Sequence, residues 1–292
     1  MAESNSIDHV SDTAFWVAQC RVEETERPDA LFKDPFAKIL VGEKGPRILA
    51  SMKATSSYTT WILAIRTCII DRFIENLVSE GVDTVLNLGA GLDARPYRMD
   101  LPNSLRWIEV DYPHMIEHKE KLLVRENPRV QLERVKLDLS DRPTRQEFFS
   151  NLNRDSKKTL VITEGVIPYL SETQVAELAE DLKSQPVFHF WIAEYFAPHV
   201  YPYLRGPKRM RQLRKAPFIF FPADWFGFFE AHGWVPHDIK YLSEESTRLK
   251  RGIPAPWWVA WVRPFVSKKL FESRQRFSAY VLYVKNTNGK LQ

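Results

Sequence analysis

Cysteine is scarce in this sequence: Cys20 and Cys68 are the two thiols among 292 residues. They lie far apart in the chain and form no C-x-x-C pair, which excludes a disulfide-stapled framework and a cysteine zinc site. Both are expected to be buried thiols. No apolar run approaches the roughly 18 residues that a membrane-spanning helix needs. Charge of one sign is also missing, because 41 Lys and Arg face 37 Asp and Glu, a net of +4 at pH 7. So balanced a chain lacks the overall basic field of a nucleic-acid binder. No internal repeat, low-complexity tract or Gly/Ser-rich linker is present, which excludes a solenoid and marks no domain boundary. The first ten residues, MAESNSIDHV, have neither the basic start nor the apolar centre of a secretory signal, so the expected compartment is the cytoplasm.

What is present is a composition 44% hydrophobic and 27% charged, ordinary for one large globular domain with a substantial core. Residues 11–80 carry helical spacing. DTAFWVAQCRVEE follows a Ser/Asp start, and YTTWILAIRTCIIDRFIENLVSEG repeats apolar residues at helical intervals before stopping at Gly81. The period then changes. The runs DTVLNL, RWIEV, VQLERVKL, KTLVIT and FHFWIAEY alternate with helical stretches, as in a doubly wound α/β sheet covered on both faces. Pro113 and Pro143 sit where helices can begin, and Ser171 to Gln174 form a capping-box pattern. FSAYVLYVKN supplies a final strand. The expectation is one domain over 1–292: a helical extension to about residue 80, a core at about 81–196 and 222–292, and an inserted basic segment at about 198–221.

The stretch VLNLGAGLDARPYR places Gly89, Gly91 and Ala94 at G-x-G-x-x-A spacing directly after the first core strand. Glycine at the first two positions lets the backbone turn sharply and approach a ligand. Asp111 ends the second strand at the distance where a carboxylate accepts ribose hydroxyls, a feature shared by nicotinamide and sulfonium cofactors. Asp138 ends the third strand, where an adenine amino group can reach it, and Glu164 ends the fourth. Any one such acid can be a helix cap or a surface charge. Three successive strands ending in acids at the edge where open α/β sheets bind ligands suit a cationic ligand without a pyrophosphate. S-adenosylmethionine fits that description. Its single carboxylate needs a cation, and Arg66 in the preceding helix offers a planar, bidentate partner; snorkelling at a helix edge is the plain alternative.

In their order, LFKDPFAKIL, AIRTCIIDRFI, VLNLGAGLDARPYR, EVDYP, VKLDL and TEGVIPYLSE resemble the leucine carboxyl methyltransferase family from about residue 11 to 185. The likeness is greater to its bacterial polyketide and small-molecule branch than to its protein-modifying members. The resemblance implies a class I methyltransferase, Rossmann-like sheet, mostly parallel with an antiparallel final strand, a helical N-terminal lid and a substrate-covering insertion. It also implies that Arg66 binds the methionine carboxylate, Gly89 lines the cofactor with Gly91 beside it, Asp111 holds the ribose, Asp138 and Leu139 meet the adenine, and Glu164 stands near the methionyl end.

Two other signals compete. His114-Met-Ile-Glu-His118 has the H-x-x-E-H spacing of a zinc site, yet no third ligand is evident, so a solvated helix face is expected and no metal. The segment YLRGPKRMRQLRKAPF collects Arg205, Lys208, Arg209, Arg211, Arg214 and Lys215. It can be a solvated face, a cationic lid over an anionic substrate, or a phosphate contact. Tyr169, Arg205, Arg209 and Arg211 are candidate acceptor contacts. A carboxylate acceptor is already ionised at pH 7 and needs no base, whereas a phenol or enol would use one, with His199 the first candidate. The expected activity is therefore O-methylation of an anionic small molecule at a carboxylate. Phenol or enol methylation, protein carboxyl methylation and a nicotinamide-dependent oxidoreductase stand as alternatives. Neither a membrane nor a nucleic acid is expected as partner.

Overall fold

The computed structural model describes residues 10–51, 56–207, 216–254 and 276–286. Four helices open the chain: α1 (Val10–Glu26), α2 (Pro35–Val41), α3 (Lys44–Ser51) and α4 (Ser56–Ser79). Asp34 caps α2 by accepting the Ala37 N–H at 3.0 Å. The α/β part follows as β1 (Thr84–Leu88), α5 (Arg95–Arg98), β2 (Arg106–Asp111), α6 (Pro113–Leu122), β3 (Gln131–Lys136), α7 (Arg142–Leu152), β4 (Thr159–Thr163), α8 (Glu172–Ser184) and β5 (Phe188–Phe196). After α9 (Tyr201–Leu204) come α10 (Trp225–Ala231), β6 (Trp234–Tyr241), α11 (Leu242–Arg248) and β7 (Ser278–Lys285).

The strands form one seven-stranded sheet in the order β3-β2-β1-β4-β5-β7-β6. The neighbours from β3 through β5 pair in parallel, while β7 runs antiparallel to both β5 and β6. Successive strand residues feed opposite faces. Val85 packs with Trp61, Ile65, Ile69 and Phe73 of α4, whereas Leu86 packs with Phe149, Leu178 and Leu182 on the other side. Each such buried side chain contributes about 1.5–3 kcal/mol, so α4 and α8 clamp the sheet between them. A third cluster seats Phe15, Trp16, Leu40 and Val41 of the N-terminal helices against Leu92, Tyr97 and Met115 at the carboxyl edge of the sheet. That packing brings α1 over the glycine turn.

The expected doubly wound sheet with an antiparallel last strand is present, and β6 adds a strand that the sequence patterning does not announce. Its run WVPHDIKY contains Pro236, which cannot donate to a ladder; the strand lies at the sheet edge, and its register shifts between Pro236 and Asp238. Among the described residues no helix is long and apolar enough to cross a membrane.

Candidate active site

The chain leaves β1 through two left-handed glycines, Gly89 at φ +68° and Gly91 at φ +48°. The Gly89 and Ala90 N–H groups both donate to the Val110 carbonyl, at 2.8 and 3.1 Å. A Cβ at Gly89 would stand 2.5 Å from Cγ2 of Val166, and one at Gly91 3.1 Å from Cβ of Ala14 in α1. The turn is therefore a cradle that side chains would fill.

Asp111 faces this cradle from the end of β2. Its Oδ2 accepts the Gly91 N–H at 2.6 Å and its Oδ1 the Tyr112 N–H at 2.7 Å. Burial raises its carboxyl above the ordinary range, and these two N–H groups pull it back only in part. Each oxygen keeps a lone pair for a further donor. Asp138 is exposed, and its Oδ1 accepts both the N–H and the hydroxyl of Ser140, at 2.9 and 2.7 Å, in a local turn. Leu139 beside it is half-buried, with its carbonyl held by Arg145.

Glu164, at the end of β4, is held by two arginines. Arg95 Nη1 donates to its Oε2 at 2.7 Å, and Arg66 Nε approaches its Oε1 at 2.8 Å. The second approach is a charge contact, since the Arg66 Nε–H is not aligned as a hydrogen bond. Burial works against the Glu164 carboxylate, but Arg95 and then Arg66 outweigh it and hold Glu164 below its usual range. Arg95 is itself buried, reaching Asp71 at 2.6 Å and Asp93 at 3.0 Å. Asp93 in turn accepts from the Asn87 side chain at 2.9 Å. This lattice underlies the cradle and fixes the position of Arg66.

One cavity of about 1510 Å³ joins these parts. Arg66, Gly89, Gly91, Asp111, Asp138, Leu139, Glu164, Tyr169 and His199 all line it, so residues spread over 130 positions of sequence meet at one edge.

 Arg66 and His199, the outermost of them in sequence, mark that span. The wall over the cradle comes from α1 through Ala14, Trp16 and Val17, and the far wall carries Tyr169, Phe196, Tyr203 and Phe218. Tyr169 meets Phe218 edge-on at 5.1 Å. His199 sits exposed on the 3-10 turn Pro198–Val200. Arg205 stands off this wall: among the described residues its guanidinium packs over the Phe221 ring at 4.3 Å and near Tyr201 at 5.9 Å. Arg209 and Arg211 lie outside the described residues.

Sequence reasoning missed Glu194 and Tyr280, which also line the cavity. Glu194 had a signal: like β2 and β4, the run FHFWIAEY carries an acid near its carboxyl end. The two histidines of H-x-x-E-H are used locally, His114 Nε2 lying 2.9 Å from Ser11 Oγ and His118 Nε2 2.9 Å from the Leu40 carbonyl. Among the described residues no cluster of three or more His, Cys, Asp or Glu is placed to hold a metal. The left-handed cradle, the lone pairs of Asp111 and the half-buried Arg66 fit a ribose-bearing cofactor with one carboxylate.

The model of the leucine carboxyl methyltransferase family matches residues 14–183, more than half of the chain and all of the cradle and its acids. This chain belongs to the leucine carboxyl methyltransferase family. An S-adenosyl-L-methionine-dependent methyltransferase of Streptomyces avermitilis, provisionally named as such, is 32% identical over 84% of this chain and 89% of its own length. A relative of the same provisional name from Frankia alni is 32% identical over 58% of this chain, and that alignment covers 62% of the relative, less than two thirds of it. A crystal structure of a DUF574 family protein from Streptomyces avermitilis superposes with a TM-score of 0.56 at 13% identity, covering 92% of this chain and 96% of that one. One from Thermobifida fusca, described as a methyltransferase on a provisional basis, gives 0.54 at 14% identity over 92% and 94%. These two share the fold. As a member of the leucine carboxyl methyltransferase family, the chain is an S-adenosyl-L-methionine-dependent methyltransferase with a class I sheet.

Proposed function

We propose that this family member methylates a carboxylate oxygen of a small molecule with an aromatic or polyketide-like body. The observation that carries the reading is one continuous cavity, whose volume of about 1510 Å³ exceeds the roughly 300–1,000 Å³ that one small ligand fills. It has room for a cofactor over the cradle and an acceptor against the aromatic wall of Tyr169, Phe196, Tyr203 and Phe218.

When bound, S-adenosylmethionine supplies a methyl group activated on a sulfonium. Asp111 would hold the ribose, Asp138 and Leu139 the adenine, and Arg66 the methionine carboxylate, with Glu164 keeping Arg66 in place until that partner arrives. The aromatic wall orients the acceptor and excludes water, which is most of what an in-line displacement asks of a protein. An acceptor carboxylate is ionised at neutral pH and needs no proton removed. The basic segment around Arg205, Arg209 and Arg211 would add attraction for such an anion. A second reading, methylation of a phenol or enol, is favoured by His199 standing on the same wall.

Mild base separates the two readings. A methyl ester product is hydrolysed and an aryl or enol methyl ether survives. Radiolabelled methyl transferred to an aromatic acid should be released by such treatment, and a base-stable product would move the assignment to a hydroxyl acceptor.

A further inference from the structure

Glu194 lies near the carboxyl end of β5, and its register partner on antiparallel β7 is Tyr280. Directly opposed residues project to the same face of a sheet, and both side chains line the cavity. Glu194 is 3% exposed. Its Oε1 accepts the Gly165 N–H, while its Oε2 is buried with no hydrogen-bond partner. Charged and titratable groups act on it from the surrounding elements: Arg66 of α4, Glu164 of β4, and the Tyr280 and Tyr283 phenols of β7. The cation is engaged elsewhere, since Arg66 stands 2.8 Å from Glu164. A buried carboxylate with one unsatisfied oxygen and no cation of its own is costly, whereas a neutral carboxyl holds a proton ready to donate.

We propose that Glu194 is the acceptor-binding acid of this enzyme, held neutral so that its Oε2–H donates to one oxygen of the acceptor carboxylate and leaves the other free to attack. The assignment rests on the carboxylate reading above. Burial lifts the Glu194 carboxyl to about 7, against its own backbone N–H, the Gly165 N–H and Arg66 and with help from Glu164. An arriving carboxylate adds like charge and raises it further, so the two carboxyl groups share one proton. During transfer the free acceptor oxygen forms its bond to the methyl carbon as the carbon–sulfur bond breaks. The electron pair of that bond stays on sulfur, and the proton stays on Glu194. A general base at this position would act in the opposite sense, needing to be ionised before transfer.

Two measurements on the full chain test this. The first is the infrared band of a protonated carboxyl in the complex with S-adenosylhomocysteine, assigned by its loss in Glu194→Gln. The band should be present at pH 6 and fade as pH rises through the neutral range; its absence at pH 6 overturns the assignment. The second follows methyl transfer to benzoate, 2-naphthoate and octanoate across pH. The acceptor KM should climb about tenfold per pH unit above the Glu194 titration, with kcat little changed. In Glu194→Gln, whose amide still donates, KM should become independent of pH, and Glu194→Ala should show a high KM throughout. Activity that instead rises with pH in the parent and vanishes in Glu194→Gln identifies a general base and overturns the proposal. If none of the three acids is methylated, or the product resists mild base, the carboxylate reading fails, and the infrared band still decides the protonation of Glu194 separately.

Discussion

Asp111 serves two partners, because the oxygens that face the cavity also hold the N–H groups of Gly91 and Tyr112. Asp111→Ala should therefore weaken S-adenosylhomocysteine roughly 10- to 150-fold, the range for losing a charged hydrogen bond, and should also lower the melting temperature by freeing the turn. Calorimetry that found parent-like affinity would remove Asp111 from the cofactor site. Glu194 makes a prediction about stability that needs no ligand. Its carboxyl is raised from 4.5 to about 7 in the folded chain, so the folded state binds this proton more tightly than the unfolded state. The corresponding stability is complete below about pH 4.5 and is lost as pH climbs through 7, by up to about 3 kcal/mol. Glu164 has the opposite sign: its carboxyl is held low by Arg95 and Arg66 against burial, so its contribution disappears as the solution turns acid. Denaturant unfolding of Glu194→Gln should show a flatter profile between mildly acid and mildly alkaline buffer than the parent. Equal slopes in the two proteins would mean that Glu194 titrates normally.

At the scale of elements, what the sequence made legible were the pieces with a strong period. Helices α1 and α4 and strands β1 to β5 and β7 lie where apolar spacing places them, and the carboxyl-end acids Asp111, Asp138 and Glu164 meet at one edge because parallel strands end together. Strand β6 was hidden by Pro236 and His237, residues tolerated at an edge with a shifted register but absent from any alternating pattern. The buried lattice of Arg95, Asp71 and Asp93 was hidden for another reason. Charged residues read as surface in a sequence, and only tertiary packing closes their ion pairs. Arg205 illustrates the converse, a cation whose neighbours are the aromatic rings of Phe221 and Tyr201. One local pattern transferred intact: Ser171 accepts the Gln174 N–H at 3.2 Å while the Gln174 side chain accepts the Ser171 N–H at 2.9 Å. Ser171→Ala should destabilise the fold by about 0.5–2 kcal/mol. Because α8 begins outside the cavity wall, S-adenosylhomocysteine affinity should stay at the parent value, and a loss of affinity would show that the cap also sets the site.

For the whole molecule, the question is how the N-terminal helices are coupled to a sheet that has its own two-faced core. Helix α1 carries polar contacts along its length, some to the α/β part and some to the neighbouring helices α2 and α3. Ser11 reaches His114 of α6 at 2.9 Å, Asp12 pairs with Lys44 at 2.7 Å, and Arg21 both pairs with Asp34 at 2.9 Å and donates to the Leu92 carbonyl just beyond the glycine turn. Glu24 adds an ion pair with Arg251 at 3.0 Å. Since Ala14 closes against Gly91 and Val17 lines the cavity, a ligand in the cradle should pack against α1 and tighten these contacts. Hydrogen exchange with S-adenosylhomocysteine at about 100 times its Kd should raise global stability by about 2.7 kcal/mol, with protection added at α1 through its local openings. The last turns of helix α7, where Phe149 and Leu152 pack in the core and no residue lines the cavity, should gain no local protection beyond the global shift. Arg21→Ala should lower α1 protection in the free protein and weaken S-adenosylhomocysteine, since its two tie points meet the helix where the wall begins. If α1 and α7 gained the same protection, the N-terminal helices would be a fixed buttress, and access to the cavity would have to be controlled from the α9 side.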